Sequence, residues 1–140
     1  MITLSLLKQM QTDGLGTIDS DLWHLEVPLN GQGTPAMGAW IVPRGAPVSR
    51  FNVNIQPFDF YFRHTNKNTS LMKAKQFLNY LQESYSDVCE LPSYEPIFSE
   101  TYSNVTIKPT DGVSYVGEDE NRKLVFVISG EINYKENKEN

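Results

Sequence analysis

The sequence predicts an α+β fold: a mainly antiparallel β-sheet with two helices packed on it. Three observations predict it. Residues 50–83, RFNVNIQPFDFYFRHTNKNTSLMKAKQFLNYLQE, pass from alternating apolar and polar positions, through a polar turn, into helical apolar spacing. Elsewhere, short apolar segments are bounded by Gly and Pro, as strands joined by tight connections are. The segment Leu124–Tyr134 (LVFVISGEINY) opens on a continuous apolar run, the pattern of a strand covered on both faces.

The first helix is expected over Thr3–Thr12. Ile2, Leu6, Leu7 and Met10 make one apolar stripe, Thr3 or Ser5 can cap its start, and Asp13-Gly14 ends it. Leu22–Leu29 reads as a strand ending at Pro28, and Met37–Pro43 as another. A Gly/Pro connection, Arg44 to Val48, then leads into the long central strand, which suggests an antiparallel pair. In that strand Phe51, Val53 and Ile55 fall on odd positions, whereas Phe58, Phe60 and Phe62 fall on even ones. Such a parity switch calls for a bulge near Gln56-Pro57, or for two strands with a turn at Pro57.

Asn68 or Thr69 can cap the second helix by accepting from its first free amides, and Leu71, Ala74, Phe77, Leu78 and Leu81 define its buried face. Ser84–Ser99 is expected to be irregular because of Pro92 and Pro96, with Cys89 acting as a small buried hydrophobe. Glu100–Lys108 alternates as a strand, Val113–Val116 is a short extended piece, and Gly117–Asn121 is an acidic turn. Gly130 marks a bulge or a close backbone approach in the last strand. Residues 1–134 form one domain, and 135–140 (KENKEN) a polar, frayed tail.

Composition narrows the function. A chain of 140 residues is expected to fold as one domain and to bury roughly 68–70% of its unfolded surface, enough for a core without staples. Twelve Lys and Arg against 17 Asp and Glu leave a net charge of −5, which argues against a protein that grips nucleic acid phosphates. One cysteine excludes an internal disulfide, and one Cys with two His shows no metal-ligand spacing. No signal peptide and no membrane-spanning stretch are expected. The glycines of Asn30–Thr34 (NGQGT) lack the Gly-Lys-Ser/Thr of a phosphate loop. His24 reads as a strand histidine, with no nucleophile or orienting carboxylate at a recognisable spacing.

The order of pieces resembles the small minor capsid and tail-terminator (tail-completion) proteins of long-tailed bacteriophages. The pieces are the N-terminal helix, a Gly/Pro-rich section, the aromatic strand QPFDFYFRHTN running into SLMKAKQFLNYL, and YSNVTIKPTDG paired with EDENRKLVFVISGEINY. The resemblance implies a tail-terminator-like fold and a structural virion protein, not an enzyme and without a cofactor. Such a protein, assembled in the host cytoplasm and sited at the tail-neck junction, forms a homohexameric ring at the head-proximal end of the tail tube. There it stops tube growth and meets the head-completion or connector protein, while double-stranded DNA passes through its lumen without specific binding. On that reading the candidate inter-subunit strands carry Phe51, Val53, Phe60, Phe62, Arg63, Phe126 and Ile128, and Glu118, Asp119 and Glu120 are lumen candidates that let phosphates slide past. The alternatives are another neck component, a head-completion or stopper protein, or a small ligand-binding or enzymatic α+β domain using His24, His64 or Asp59.

Overall fold

The computed structural model describes residues 1–27, 37–64, 66–85, 89–118 and 124–137. Its elements follow the chain as α1 (Ile2–Thr12), β1 (Leu22–His24), β2 (Gly38–Pro43), β3 (Val48–Arg50), β4 (Val53–Arg63), α2 (Lys67–Ser84), β5 (Cys89–Leu91), β6 (Thr101–Pro109), β7 (Ser114–Glu118) and β8 (Leu124–Asn137). The architecture is α+β, with all eight strands in one sheet of order β1-β2-β4-β8-β6-β5. β3 lies beside β4, and β7 beside β8. Every pairing is antiparallel except β1 with β2.

β4 and β8 form the spine of the sheet. Their register is unbroken from Asn54↔Tyr134 to Arg63↔Val125, so the bulge or turn expected at Gln56-Pro57 is not there. The apolar residues of β4 change parity because they lie on two faces of one continuous strand. Phe58, Phe60 and Phe62 point into the core with no exposure, whereas Val53 and Ile55 are half-buried on the opposite face. The core-facing position before Phe58 is Gln56, whose Nε2 donates to the carbonyls of Gly45 (3.1 Å) and Pro57 (2.8 Å). Pro57 is tolerated in a central strand for a local reason. Its carbonyl accepts from the Arg44 amide at 2.9 Å, so its missing N–H faces the same edge, in the gap between β2 and β3.

A real change of parity occurs in β6 instead. The ladder with β8 shifts between Ser103 and Thr106, where Asn104 takes φ 53°. Tyr102, Val105 and Ile107 all reach the core as a result, where simple alternation would have split them between two faces. β6 and β7 then run in line along one edge of β8. Lys135–Asn137, expected to fray, extend β8 and pair with Thr101–Ser103. Gly130 makes the close approach: a Cβ there would lie 3.0 Å from the Lys108 carbonyl oxygen and 3.0 Å from the Phe58 ring.

Both helices contribute to the same core as the Phe face of β4. The cap of α2 lies two residues earlier than Asn68: it is Asn66, its side chain accepting from the Thr69 amide at 2.9 Å, and the helix proper begins at Lys67. Ala74, Phe77 and Leu81 are buried, with Leu71 and Leu78 packed on the core margin, the face the spacing predicts. α1 buries Ile2, Leu6, Leu7 and Met10, but neither Thr3 nor Ser5 caps it; both lie inside the helix and are buried. β1 is shorter than expected because Leu25 turns to φ 74°, and residues 28–29 of the expected strand lie outside the described residues. Within 84–99, the expected irregular stretch holds one short strand, β5, where Cys89 is half-buried and its Sγ lies 3.0 Å from the Ser84 carbonyl.

Candidate interaction surfaces

β3 and β4 are joined by a two-residue hairpin turn, Phe51-Asn52, flanked by the pair Arg50↔Val53. Both turn residues have positive φ, 51° and 65°, the geometry whose twist matches a β-hairpin. Asn tolerates that region; a bulky Phe does not. Phe51 is also 93% exposed. Neither packing nor backbone preference explains an aromatic at this place. Phe51→Asn is therefore expected to stabilise the fold by about 1 kcal/mol, by relieving the left-handed Phe. A higher urea midpoint with an unchanged slope is the expected readout.

A second exposed apolar element is β7. Tyr115 is 58% exposed, its ring tilted on Phe126 at 5.7 Å, and Val116 is 54% exposed. Among the described residues the outer edge of β7 pairs with no strand. Glu118 closes it, exposed; Asp119 and Glu120 of the acidic turn lie outside the described residues.

The sheet face opposite the helices carries Trp40 stacked on Tyr61 (5.3 Å) and a polar group around Asp59. The Asp59 carboxylate accepts from the Ser129 hydroxyl and lies 3.3 Å from Arg44 Nε. Burial pushes the Tyr61 hydroxyl up, and the Asp59 charge adds to it. A cavity of about 620 Å³ opens on the other side, between α1, β1 and Tyr94, lined in part by Asp19, Trp23, His24 and Glu26. Among the described residues, the buried Trp23 Nε1 meets no hydrogen-bond partner.

The three residues of the enzymatic alternative have separate occupations. His24 Nε2 meets the Thr3 hydroxyl at 2.6 Å, on the α1 side of the sheet, whereas Asp59 serves the opposite face. His64 follows the end of β4. Burial lowers the pKa of both histidines; the N-terminal ammonium adds to the effect at His24, and Lys73 at His64, where Asp21 opposes it. Below the ordinary histidine value the unfolded chain thus binds more protons than the folded one. Stability is full above about pH 6.5 and falls as the pH drops through that value. Urea midpoints should decline between about pH 7.5 and 5.5, and a His24→Gln, His64→Gln variant should flatten the decline. Among the described residues, no group of three or more His, Cys, Asp or Glu is placed to hold a metal ion.

The expected inter-subunit residues fall into two sets. Phe60, Phe62, Phe126 and Ile128 are core side chains, Arg63 is buried, and β4 and β8 are interior strands with both edges paired. The long strands named for edge pairing therefore have no free edge to offer. Their length reflected their central place, and among the described residues the outermost strands of the sheet order are the short β1 and β5. Phe51 and Val53 sit instead at the hairpin, exposed and half-buried respectively. Sequence reasoning missed Tyr115 and Val116, and it drew Phe51 into the strand because the alternation continues across a turn that lacks Gly. No family model matches the chain, and no curated protein matches it.

Proposed function

We propose that this chain is a structural virion protein of a long-tailed bacteriophage: a tail terminator. It forms a homohexameric ring on the head-proximal end of the tail tube, stops tube growth and joins the tail to the head connector. The resemblance in order and texture of the chain supports this reading. The structural observation that carries it is a pair of unlike exposed apolar elements at opposite corners of one sheet. The hairpin tip, with Phe51, lies beyond the Asn54↔Tyr134 end of the spine, on the β2 side of β4, and Val48 stands at the base of the same hairpin, opposite Ile55. β7, with Tyr115 and Val116, lies at the Leu124–Val127 end, on the far side of β8. A closed ring of identical subunits needs two different patches that meet head to tail, and corners so disposed can serve.

The protein is neither an enzyme nor a cofactor carrier on this reading, and DNA passes through the ring unbound. Glu118 suits a repelling lumen wall, in company with Asp119 and Glu120. Light scattering across a concentration series, with negative-stain images and added tail tubes, tests the proposal. Rings, or capped tube ends, are expected. Binding to the head connector in place of the tube would move the chain to another neck role, and failure on both would end the virion reading.

A further inference from the structure

We propose that the β3–β4 hairpin of one copy packs on β7 of the next, with Phe51 as its anchor. This rests on the head-to-tail association proposed above and names the contact that makes it. Three independent observations support the match. The first is apolar: Val48 (58% exposed) and Phe51 on one element, Tyr115 and Val116 on the other, are four of the exposed large hydrophobics among the described residues. Buried aromatics are the commonest anchors of protein contacts, and two aromatics bury the most area for the fewest ordered side chains.

The second is charge. Residues 43–52 (PRGAPVSRFN) carry Arg44 and Arg50 and no acid; residues 110–118 (TDGVSYVGE) carry Asp111 and Glu118 and no base. Arg44 is already engaged with Asp59, which leaves the exposed Arg50, next to Phe51, to face Glu118.

The third is direction. β3 is antiparallel to β4, β4 to β8, and β8 to β7, so β3 and β7 run in opposite senses. A rotation that sets one copy beside the next in the same orientation brings them together antiparallel, the arrangement that suits cross-strand side-chain pairs. Pro47 withholds an N–H next to the short β3, so the contact is made by side chains at the tip more than by a continued ladder.

Paired cysteines test the contact in the full chain. With Cys89→Ser as background, Phe51→Cys and Tyr115→Cys in the same molecule should oxidise to a head-to-tail ladder on a denaturing gel. Met72→Cys, on the outer face of α2, with Tyr115→Cys should not. Without added cysteines, Phe51→Asn should weaken association by about tenfold or more while the protein stays folded. Arg50→Glu and Glu118→Arg should each weaken it, and the two together should restore it. A native protein that forms rings while the 51–115 pair gives no ladder and Phe51→Asn assembles normally overturns this contact and leaves the terminator reading standing. A native protein that neither self-associates nor caps tubes overturns both.

Discussion

Phe77→Ala is expected to lower the unfolding free energy by about 3–5 kcal/mol, a large share of what a domain of this size possesses. Phe77 is 2% exposed and stands at the point where α2 meets the sheet. Its ring lies edge-on to Phe60 at 5.2 Å and to Phe62 at 5.0 Å, while those two stack on each other at 5.4 Å. Edge-to-face pairs add to the burial term, so truncation removes two such contacts and opens a cavity that the two remaining rigid rings cannot close. Met72→Ala, five residues earlier on the outer face of the same helix and 70% exposed, should stay within about 0.5 kcal/mol of the parent. Urea unfolding of the pair separates packing from helix propensity, because both variants gain the same Ala in the same helix. A small loss at Phe77 would mean that α2 does not bear on the aromatic face of β4.

The aromatic cluster is also the part of the fold that the sequence displays most openly. Phe58, Phe60 and Phe62 alternate, and Leu71, Ala74, Phe77, Leu78 and Leu81 keep helical spacing, so both faces of that contact are legible. What the periodicity could not convey is where a face ends. Val53 and Ile55 look like a continuation of one apolar row shifted by a residue, yet they belong to the open face of the sheet in an unbroken strand. The true irregularity, at Asn104, is hidden because Ser103, Asn104 and Thr106 are polar whichever way the register runs. Short strands fare worst. β1, β3 and β5 have three residues each, too few to show any period, and they are fixed by their neighbours in the sheet. Of the candidate surfaces, Phe51 was visible as an aromatic but not as a turn residue, since Arg-Phe-Asn-Val lacks the Gly that marks such turns. Tyr115 and Val116 gave no signal, because exposure of an apolar side chain is a property of the assembled sheet.

Gly38→Ala is the other substitution expected to have a large effect, and it acts through the backbone. Gly38 opens β2 at φ 154°, directly against the turn that leads into β1. A Cβ built on it would lie 2.4 Å from the Asp21 carbonyl oxygen and 2.5 Å from the Trp23 ring. The same Asp21 oxygen accepts the Ala39 amide at 2.9 Å, so it cannot retreat without giving up that bond. Trp23, 5% exposed, has little room to move either. The methyl group must therefore push β1 off β2, with a cost of about 3 kcal/mol from overpacking and the lost ladder. Gly130→Ala is the informative comparison. Its Cβ would meet the Lys108 carbonyl at 3.0 Å, a tight contact that a few tenths of an ångström relieve, so its cost should be smaller. Native-state hydrogen exchange distinguishes local from global damage. If β1 is displaced alone, the amides of Ala39 and Leu25, which bond to Asp21 and Ile41, lose protection while those of the β4–β8 spine keep it. Uniform loss across the spine would instead mean that the parallel edge strand is part of the cooperative core. A three-residue strand at the margin would then be holding the sheet's register as firmly as its longest pair.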